Sequence, residues 1–576
     1  MSDCEYPVLI VGGGGCGLSM SIFLSNLGVR SLLLERNREV VGQPRAHILN
    51  QRSMEIFRQH GIDQRVYERG APLECMERIV FCTSLGGDGP LDRKSLGSLD
   101  SYGGGGLRER YAADSPCRAT NLPLMQLEPL LRAMAESRKP GELRFHHELL
   151  AFAQDSGGVT ATVRDHARGA EYRVRAQYLV AADGGKTVGR ALGIEMQGPR
   201  RLRRMINTFF SADLSSWIDD DGALIHYILS PDGTGVWSAG GLVKSGPTRW
   251  DRHSESWVLF REVSADDPDA LDETTLLPRL RELLRIPDLD ARIHKVALWD
   301  IEGVVAKSYR AGRVFLAGDA AHRHPPVSAL GLNTAFGDAH NLAWKLALVL
   351  SGKVPDRFLD TYELERQPVG ARVAEWALNG FRTRSILDAA IGLITGDREA
   401  NRRAFEALLA DTPDGATRRA IFAEALRIQR IGPQAHDMEI GYTYEKGALV
   451  SDGTPPPTRD PMAGDYRPCA RPGSRLPHAW VENGGERLST HDLVGIDRFL
   501  LIGGDVWRSA AAEATSTLGV QVDFAPLRVP RGLLGVLDDG AVLVRPDAHI
   551  GWRCPRAARD PATALVDALR ALLYLQ

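Results

Sequence analysis

The first residues able to do chemistry are three glycines in GxGxxG spacing, Gly12, Gly14 and Gly17. They follow the apolar run 7–11 and precede a stretch of helical composition that ends near Gly28. In such a turn the first glycine permits a tight bend, the second lets the backbone approach a pyrophosphate, and the third lets helix and strand pack closely. The following helix N-terminus presents unpaired N–H groups and a positive dipole end to phosphate. This segment therefore predicts a dinucleotide-binding site.

A carboxylate completes this first motif. Glu35 ends a second apolar run, 31–34, and follows Gly17 at the spacing at which an acid binds ribose hydroxyls. Strand, glycine turn, helix, strand and acid together predict a βαβ unit. The motif alone does not separate FAD from NAD.

A second group of residues favours FAD. The apolar run 313–317 ends in Gly-Asp, and the carboxylate of Asp319 can accept a hydrogen bond from a flavin ribityl hydroxyl. An apolar-striped helix is predicted over about 334–350. Its N-terminal backbone can face the pyrimidine end of a flavin, which becomes anionic on reduction and is stabilised by the helix dipole. The candidate residues at this helix start are Gly331, Leu332 and Asn333.

Between these motifs lies another apolar run, 178–182, that ends in Asp183-Gly184. With all three motifs in this order, the chain resembles the FAD-dependent aromatic hydroxylases, the group of para-hydroxybenzoate hydroxylase and phenol hydroxylase. It is especially similar to the 2,4-dichlorophenol 6-monooxygenase-like branch, in which a Leu-Gly-x-Asn segment like 330–333 precedes the long helix. The resemblance extends from residue 1 to about residue 400, with a weaker match beyond.

The resemblance implies roles for several further residues. Arg45 matches an arginine near the FAD pyrophosphate and the incoming nicotinamide, and Gln126 matches a glutamine on the ribityl chain. Asp183 matches a residue that contacts both FAD and NAD(P)H, and Arg36, next to Glu35, is a further candidate cofactor contact. The family usually has Ala-Arg-Ser after its Asp-Gly, whereas this chain has Gly-Lys-Thr at 185–187. The choice between NADH and NADPH therefore stays open.

The catalytic candidates are residues that could act on the proton of a phenolic substrate. A phenol reacts faster with an electrophilic oxygen as its phenolate, so a nearby proton acceptor helps. His47 lies where phenol hydroxylase has an aspartate, and a histidine titrates near neutral pH. The alternative is a histidine that only binds backbone or FAD. Tyr227 and His226 are weaker candidates, and Arg45 is included because of its place near the nicotinamide.

The predicted fold class is α/β, with a Rossmann-like FAD-binding domain, an inserted antiparallel β-sheet substrate domain and a C-terminal thioredoxin-like α/β domain. The glycine-rich stretch 84–106 is expected to form a long loop. Because no CxxC motif is present, the last domain is expected to be structural, and it could support a homodimer. The predicted ranges are 1–190 and 290–400 for the FAD-binding domain, 191–289 for the substrate domain, 401–457 for a helical linker and 458–576 for the thioredoxin-like domain.

The amino-acid composition bears on the cellular location and on the possible partners of the protein. The 576 residues are 43% apolar and 25% charged with a net charge of −3, so no strong attraction to nucleic acid or anionic lipid is expected. Seven scattered cysteines without metal-site spacing fit a reducing cytoplasm. No apolar run reaches the roughly 18 residues needed to span a membrane. We expect a cytoplasmic enzyme without a metal site.

These observations predict an FAD-dependent monooxygenase that hydroxylates a phenolic or hydroxypyridine-type ring with NAD(P)H and O2 through a flavin hydroperoxide. Two alternatives remain. One is a flavin-dependent reductase or oxidase on the same fold, and the other is a non-catalytic flavin-binding sensor.

Overall fold

The structure is a computed structural model that describes residues 4–40, 42, 44–232, 240–263, 273–394, 396–530 and 532–575. The strands of this part of the chain are β1 (Cys4–Val11), β2 (Ser31–Glu35), β3 (Ile48–Leu49), β4 (Arg78–Cys82), β5 (Ser95–Asp100), β6 (Thr120–Asn121), β7 (Glu142–Phe145), β8 (His147–Asp155), β9 (Gly158–Asp165), β10 (Ala170–Ala181), β11 (Met196–Gln197), β12 (Arg203–Ala212), β13 (Ala223–Ile228), β14 (Gly241–Gly246), β15 (Ser256–Glu262), β16 (Ala291–Ile301), β17 (Val304–Ala306), β18 (Arg310–Ala311), β19 (Val314–Leu316), β20 (His322–Arg323), β21 (Trp480–Asn483), β22 (Glu486–Ser489), β23 (Phe499–Gly503), β24 (Val522–Pro526), β25 (Ala541–Val544) and β26 (Ile550–Cys554). The helices are α1 (Gly15–Asn26), α2 (Gln51–Gln59), α3 (Asp63–Tyr67), α4 (Arg108–Asp114), α5 (Leu124–Ser137), α6 (Val188–Ala191), α7 (Glu273–Leu284), α8 (Leu330–Leu350), α9 (Asp360–Arg382), α10 (Ser385–Ile391), α11 (Arg398–Leu409), α12 (Pro413–Ile428), α13 (His436–Ile440), α14 (Arg508–Leu518) and α15 (Pro561–Leu572).

The first sheet carries the predicted βαβ unit. Its central strands β19, β10, β1, β2 and β7 are neighbours in that order and all parallel. Strands buried on both faces need near-continuous apolar residues, as 7–11 and 31–34 provide. Helices α1 and α8 bury apolar residues in the same core as these strands. The parallel order brings the ends of β1, β10 and β19, and so all three sequence motifs, to one edge of the sheet.

The second sheet has the order β16-β12-β15-β14-β13-β4-β5, and its neighbours are antiparallel except β13 and β4. The inserted, largely antiparallel sheet is thus present, but 191–289 is too narrow a range for it. Strands β4 and β5 come from the earlier part of the chain, and β16 extends beyond residue 289. The prediction of one long loop over 84–106 holds for 84–94 but is wrong for 95–100, which form β5 and pair along β4. The short apolar run 235–243 also predicts a strand, but its residues 235–239 lie outside the described part of the chain.

Helices α10, α11 and α12 cover one face of this second sheet. Phe405, Leu408 and Phe422 belong to the same buried cluster as Tyr227 and Phe81 of the sheet. The segment 401–457, predicted as a helical linker, is helical mainly up to residue 428, and this helical part packs against the substrate domain. The reason is that the sheet face carrying Tyr227 is apolar and must be shielded from water.

The C-terminal region is a four-stranded sheet in the order β24-β23-β25-β26. Strands β23 and β24 are parallel with α14 between them in the chain, and β25 and β26 are antiparallel and precede α15. Its core includes Phe499, Leu501 and Trp507, which pack with Trp344 and Leu348 of α8. This region is therefore packed on the helix whose other end lies at the candidate site.

A buried ion network joins the C-terminal region to the first domain. Glu365 of α9 accepts hydrogen bonds from Arg545 Nη2 at 2.7 Å and from Lys345 Nζ of α8 at 2.8 Å, and all three side chains are fully buried. Arg545 also pairs with Asp547. Burial opposes the charge on Glu365, but Arg545 and Lys345 outweigh it and lower the pKa of Glu365 to about 2. The carboxylate is charged at neutral pH and balances two cations.

Replacement of Glu365 by Gln should destabilise the protein by about 3–5 kcal/mol, because it leaves buried cations uncompensated. Denaturant unfolding at pH 7 measures this. Asp505→Asn is a matched control, since Asp505 pairs with Arg508 at the surface, and it should change stability by less than about 1 kcal/mol. Equal stability of the two variants would show that the network does not hold the C-terminal region in place.

Among the described helices, none combines the length and apolar character that crossing a membrane requires. In the same part of the chain, no cluster of His, Cys, Asp and Glu is arranged to hold a metal ion.

Candidate functional site

The glycine turn is pressed against the end of β10. Gly12 has φ +111°, and a Cβ there would lie 2.2 Å from the carbonyl oxygen of Ala182. A Cβ on Gly17 would lie 1.9 Å from the carbonyl oxygen of Gly12. No larger residue fits at either position, so the backbone of the turn stays bare and close to the sheet edge. That bare surface, at the N-terminus of α1, fits a pyrophosphate.

Glu35 lies directly over this turn. Its Oε2 accepts a hydrogen bond from the Gly13 N–H at 2.7 Å, and its Oε1 accepts from the backbone and side chain of Asn37. A carboxylate oxygen has two lone pairs, so Oε2 keeps one for a ribose hydroxyl. Glu35 therefore shapes the turn and remains compatible with its predicted role.

Asp183 folds its own loop. Its carboxylate accepts hydrogen bonds from three backbone N–H groups, of Gly185 (3.0 Å), Thr187 (2.7 Å) and Val188 (2.9 Å). The departure from the family's usual Ala-Arg-Ser thus forms a tight turn. The structure supports a loop-forming role for Asp183, and its contacts to FAD and NAD(P)H stay a prediction.

Three cations gather beside this loop. Burial, together with the charges of Arg36 and Arg45, lowers the pKa of Lys186. The structure thus brings the predicted residues Arg36 and Arg45 near Asp183, and adds Lys186, which sequence reasoning noted only as a departure from a motif. Arg36 and Arg45 are both exposed. Such a group can attract phosphates of either nucleotide.

Asp319 presents an exposed carboxylate that makes no hydrogen bond within the described chain. Its loop is held from behind by Asp338 of α8, which accepts hydrogen bonds from Gly318 N–H (3.0 Å), His322 Nε2 (2.8 Å) and Arg366 Nε (2.8 Å). Burial opposes ionisation, yet Arg366 and His322 lower the pKa of Asp338. Asp319 is therefore presented, with acceptor capacity left over, on a rigid loop. Sequence reasoning missed Asp338 because a mid-helix Asp resembles a surface residue.

Helix α8 begins at Leu330, four residues earlier than predicted, and no side chain caps its N-terminus. The two residues before it, Ser328 (φ 65°) and Ala329 (φ 53°), adopt the left-handed conformation without being glycine. Strain of this kind persists where surrounding structure imposes it, and it is common at ligand sites. The uncapped N–H groups fit the pyrimidine edge of a flavin.

The three residues predicted at this helix start differ in what they do. The side chain of Asn333 is fully engaged, accepting from Asn50 N–H and Ser53 Oγ and donating to the carbonyl of Ile48. It can therefore offer a flavin only its backbone. Gly331 faces the ring of His324, and Leu332 lies against Gly15 of the first glycine turn. The helix start is thus locked to both neighbouring segments.

The side chain of Gln126 contacts the second sheet. Its Nε2 donates to the Ser245 carbonyl of β14 at 2.6 Å, joining α5 to the second sheet. Two residues further along, Glu128 accepts a hydrogen bond from the Gly15 N–H, and burial raises the pKa of Glu128 to about 7. Sequence reasoning did not select Glu128, because a Glu in a helix is usually exposed. The ribityl contact of Gln126 stays a prediction.

His47 has a defined orientation. Its Nδ1 is 2.9 Å from Asn121 Oδ1, and Asn121 Nδ2 donates to the Lys244 carbonyl. Because Asn121 therefore accepts from the imidazole, Nδ1 carries the proton and Nε2 carries the lone pair. Burial lowers the pKa of His47 to about 4, so the ring is neutral at physiological pH. A neutral, oriented imidazole can accept a proton at Nε2.

Tyr227 and His226 point to opposite faces of β13, as neighbours in a strand must. Tyr227 stacks on Phe81 with ring centroids 5.3 Å apart, and its hydroxyl accepts from Arg384 Nη2 at 3.2 Å. It shares a buried cluster with Ile48, next to His47. His226 is buried on the other face, where burial lowers its pKa to about 4. Tyr227 thus lies on the side of the sheet that faces the flavin segments, and His226 does not.

Comparison with known proteins agrees with this site. The family described as "FAD binding domain" matches residues 5–377, and "Aromatic-ring hydroxylase, C-terminal" matches residues 469–573. The 2,4-dichlorophenol 6-monooxygenase of Delftia acidovorans is 34% identical over 99% of this chain and 98% of its own length.

Two solved structures are also similar over their full lengths. The flavin-dependent monooxygenase PieE in complex with FAD and substrate has a TM-score of 0.92 and 37% identity, covering 100% of both chains. Aklavinone-11 hydroxylase in a ternary complex with FAD and aklavinone has a TM-score of 0.80 and 29% identity, also covering 100% of both chains.

The parallel sheet, the glycine turn with Glu35, and the Gly318-Asp319 loop together define an FAD-binding α/β protein. The chain belongs to the single-component aromatic-ring hydroxylase family of flavin-dependent monooxygenases. Its cofactors are FAD, NAD(P)H and O2, the set that this family uses.

Gly12→Ala should abolish FAD binding, because its Cβ would overlap the Ala182 carbonyl oxygen and displace the turn. The purified variant should lack the visible flavin absorption of the parent protein. Gly28→Ala is a matched control, since Gly28 also has positive φ (+71°) but nothing lies within 4 Å of an added Cβ. Flavin retained by the Gly12 variant would contradict the placement of the pyrophosphate at this turn.

Proposed function

We propose that this enzyme hydroxylates a phenolic or hydroxypyridine-type ring bound between the flavin segments and the second sheet. The observation that carries the proposal is the oriented His47, whose Nε2 lone pair is available beside the apolar cluster that contains Tyr227. An apolar cavity wall with one proton acceptor suits a neutral aromatic ring that must lose a phenolic proton.

FAD, when bound, supplies the oxygen chemistry after reduction by NAD(P)H. The chain contributes the binding surfaces. The glycine turn at Gly12 and the N-terminus of α1 would hold the pyrophosphate, Asp319 a ribityl hydroxyl, and the backbone at Gly331 and Leu332 the pyrimidine edge. The group of Arg36, Arg45 and Lys186 would guide the phosphates of NAD(P)H toward the same edge of the sheet.

His47 would accept the phenolic proton at Nε2. Its low pKa reflects burial of the imidazolium charge, so a phenolate beside it would stabilise the protonated ring by charge pairing. Asn121 keeps Nδ1 protonated and fixes the ring plane. Tyr227 would pack against the substrate ring, and its hydroxyl, bonded to Arg384, is a second polar group on that wall.

The relatives support a range of ring sizes. One is named for a dichlorophenol and another is bound to aklavinone, so the shared fold is compatible with a single-ring phenol and with a larger substrate.

The C-terminal region is proposed to be thioredoxin-like. Its β-α-β unit followed by β-β-α, with a parallel first pair and antiparallel remaining pairs, supports that assignment. Without CxxC it would act structurally. The homodimer and the cytoplasmic location stay predictions.

The test of function begins with the visible spectrum and continues with NADH and NADPH oxidation in the presence of phenols and hydroxypyridines. We expect bound FAD, oxidation stimulated by substrate, and a product heavier by one oxygen atom in mass spectrometry. Bound FAD without oxygen incorporation across the panel would favour the reductase or oxidase alternative. No stimulation by any compound would favour a sensor.

His47→Gln should lower kcat for hydroxylation by about 10²-fold, because it removes the proton acceptor while keeping a polar side chain of similar size. In the parent enzyme, the pKa of His47 of about 4 means that kcat/KM should fall only as the pH approaches that value, where the ring becomes protonated. Rates across pH 4–8 measure both effects. His253→Gln, at an exposed position between β14 and β15 of the second sheet, should leave the profile unchanged. An acid limb near pH 6.5, or an unaffected His47 variant, would rule His47 out as the acceptor.

A further inference from the structure

Glu128 of α5 borders the open face of the glycine turn. Gly12, Gly14 and Cys16 of this turn are partly exposed, so a ligand can reach its backbone. A Cβ on Gly14 would lie 3.4 Å from Glu128 Oε1, and apart from the neighbours of Gly14 in sequence it would meet no other atom of the described chain within 4 Å. The space over Gly14 is therefore open except for this carboxyl, which lies beside the surface that would hold the pyrophosphate.

The same carboxyl is bonded to the first residue of α1. It accepts a hydrogen bond from the Gly15 N–H. The N–H groups in the first turn of a helix have no partner inside the helix, and together with the helix dipole they attract anions. Glu128 thus engages one of the groups with which this helix would bind a phosphate.

The charge state of Glu128 depends on burial and on two neighbouring charges. The residue is 7% exposed. Burial raises the pKa of Glu128, Arg45 before β3 lowers it, and Glu35 at the end of β2 raises it, which leaves the pKa at about 7. Near neutral pH the carboxyl is therefore divided between its charged and its neutral form.

The other elements around Glu128 contribute little charge. Helix α1 carries one titratable side chain, Cys16, and burial raises the pKa of its thiol well above the usual value, so the thiol stays neutral. The start of α8 approaches Gly15 through Leu332, and its first turn has no charged residue. The charged residues of α3 and β7, which also pack on α5, do not shift the pKa of Glu128.

A phosphate bound at this turn brings negative charge next to the carboxyl. A like charge at short distance disfavours the ionised form of a carboxyl, so the protonated form becomes favoured. A protonated carboxyl can donate a hydrogen bond to a phosphate oxygen, whereas a carboxylate can only accept. The same side chain therefore opposes the pyrophosphate when it is charged and binds it when it is neutral.

We propose that Glu128 links FAD binding to a proton: the cofactor binds with Glu128 protonated, and the neutral carboxyl donates to a pyrophosphate oxygen. Where the carboxyl is charged before binding, one proton is taken up from solvent as FAD binds and is returned as FAD leaves. The inference rests on the proposed place of the pyrophosphate at the glycine turn. It adds a residue that makes retention of the cofactor depend on pH.

FAD is then held most firmly below pH 7. Below the pKa of about 7 the carboxyl is protonated with or without FAD, so Kd is constant. At higher pH the protein without FAD loses the proton that the complex keeps, so Kd rises until the pH reaches the higher pKa of the complex. Because one unit of pKa corresponds to a ten-fold change in binding, we expect Kd to rise about ten-fold or more between pH 6 and pH 9.

The experiment dilutes the holoenzyme at a series of pH values and measures the FAD that passes an ultrafiltration membrane. Glu128→Gln keeps an acceptor for the Gly15 N–H and a donor for a phosphate oxygen, but it cannot be charged. Its Kd should match that of the parent protein at pH 6 and should stay the same at pH 9. Glu136→Gln, at an exposed carboxyl of the same helix, is the matched control and should keep the full pH dependence.

Infrared spectroscopy of the holoenzyme gives a second readout that does not depend on affinity. At pH 8 the parent protein should show the C=O stretch of a protonated carboxyl that is absent from Glu128→Gln. The same band should remain in Glu136→Gln. Its presence would show directly that Glu128 keeps its proton beside bound FAD.

The outcomes separate this inference from the one on which it rests. If Gly12→Ala retains flavin, the proposed place of the pyrophosphate fails. If Gly12→Ala loses flavin, three results would each overturn the role of Glu128 while that place stands. They are a parent Kd that does not change between pH 6 and pH 9, a Glu128→Gln variant with the parental pH dependence, and parent and Glu128→Gln holoenzymes with the same infrared carboxyl band.

Discussion

The buried polar side of α8 is the feature on which the rest of the structure depends. One helix carries Asp338, which holds the Gly318-Asp319 loop, and Lys345, which joins Glu365 and, through it, Arg545 of the C-terminal region. Its N-terminus is fastened by Asn333 to the segment that follows His47. Because charges inside a protein are tolerated only when paired with good geometry, each of these contacts admits one arrangement. The flavin loops and the C-terminal region are therefore positioned by a common element.

This arrangement explains why the cofactor surfaces are rigid although they are formed by loops. The glycine turn is pressed on the end of β10, and Asp183 closes its own turn with three backbone hydrogen bonds. Asp319 and the start of α8 are both held from the same helix. Preorganised groups lose little freedom when a ligand binds, so the binding free energy is not consumed in ordering the site.

The substrate domain differs from the cofactor surfaces because its buried residues are mostly apolar. The second sheet and helices α10 to α12 share an apolar buried cluster that also includes Ile48 and Ala329 of the flavin segments. Two polar groups at this cluster have distinct roles. His47, next to Ile48, is a neutral acceptor fixed by Asn121, and Tyr227 is bonded to Arg384. An apolar pocket gives affinity for a ring, and a few oriented polar groups choose which ring and in which orientation.

The sequence by itself determined the βαβ unit, the order of the three cofactor motifs and the family, because glycine spacing and apolar strand runs are local patterns with a strict mechanical meaning. It also selected His47 and Tyr227 as candidates. Only the tertiary structure decided that the side chains of Asn333 and Gln126 form hydrogen bonds to other segments. It also decided that β4 and β5 join the second sheet, and that Asp338 and Glu439 are buried. The physical reason is that burial and partnership arise between residues far apart in the chain. A mid-helix Asp or Glu looks the same in sequence whether it faces water, an arginine or the protein interior.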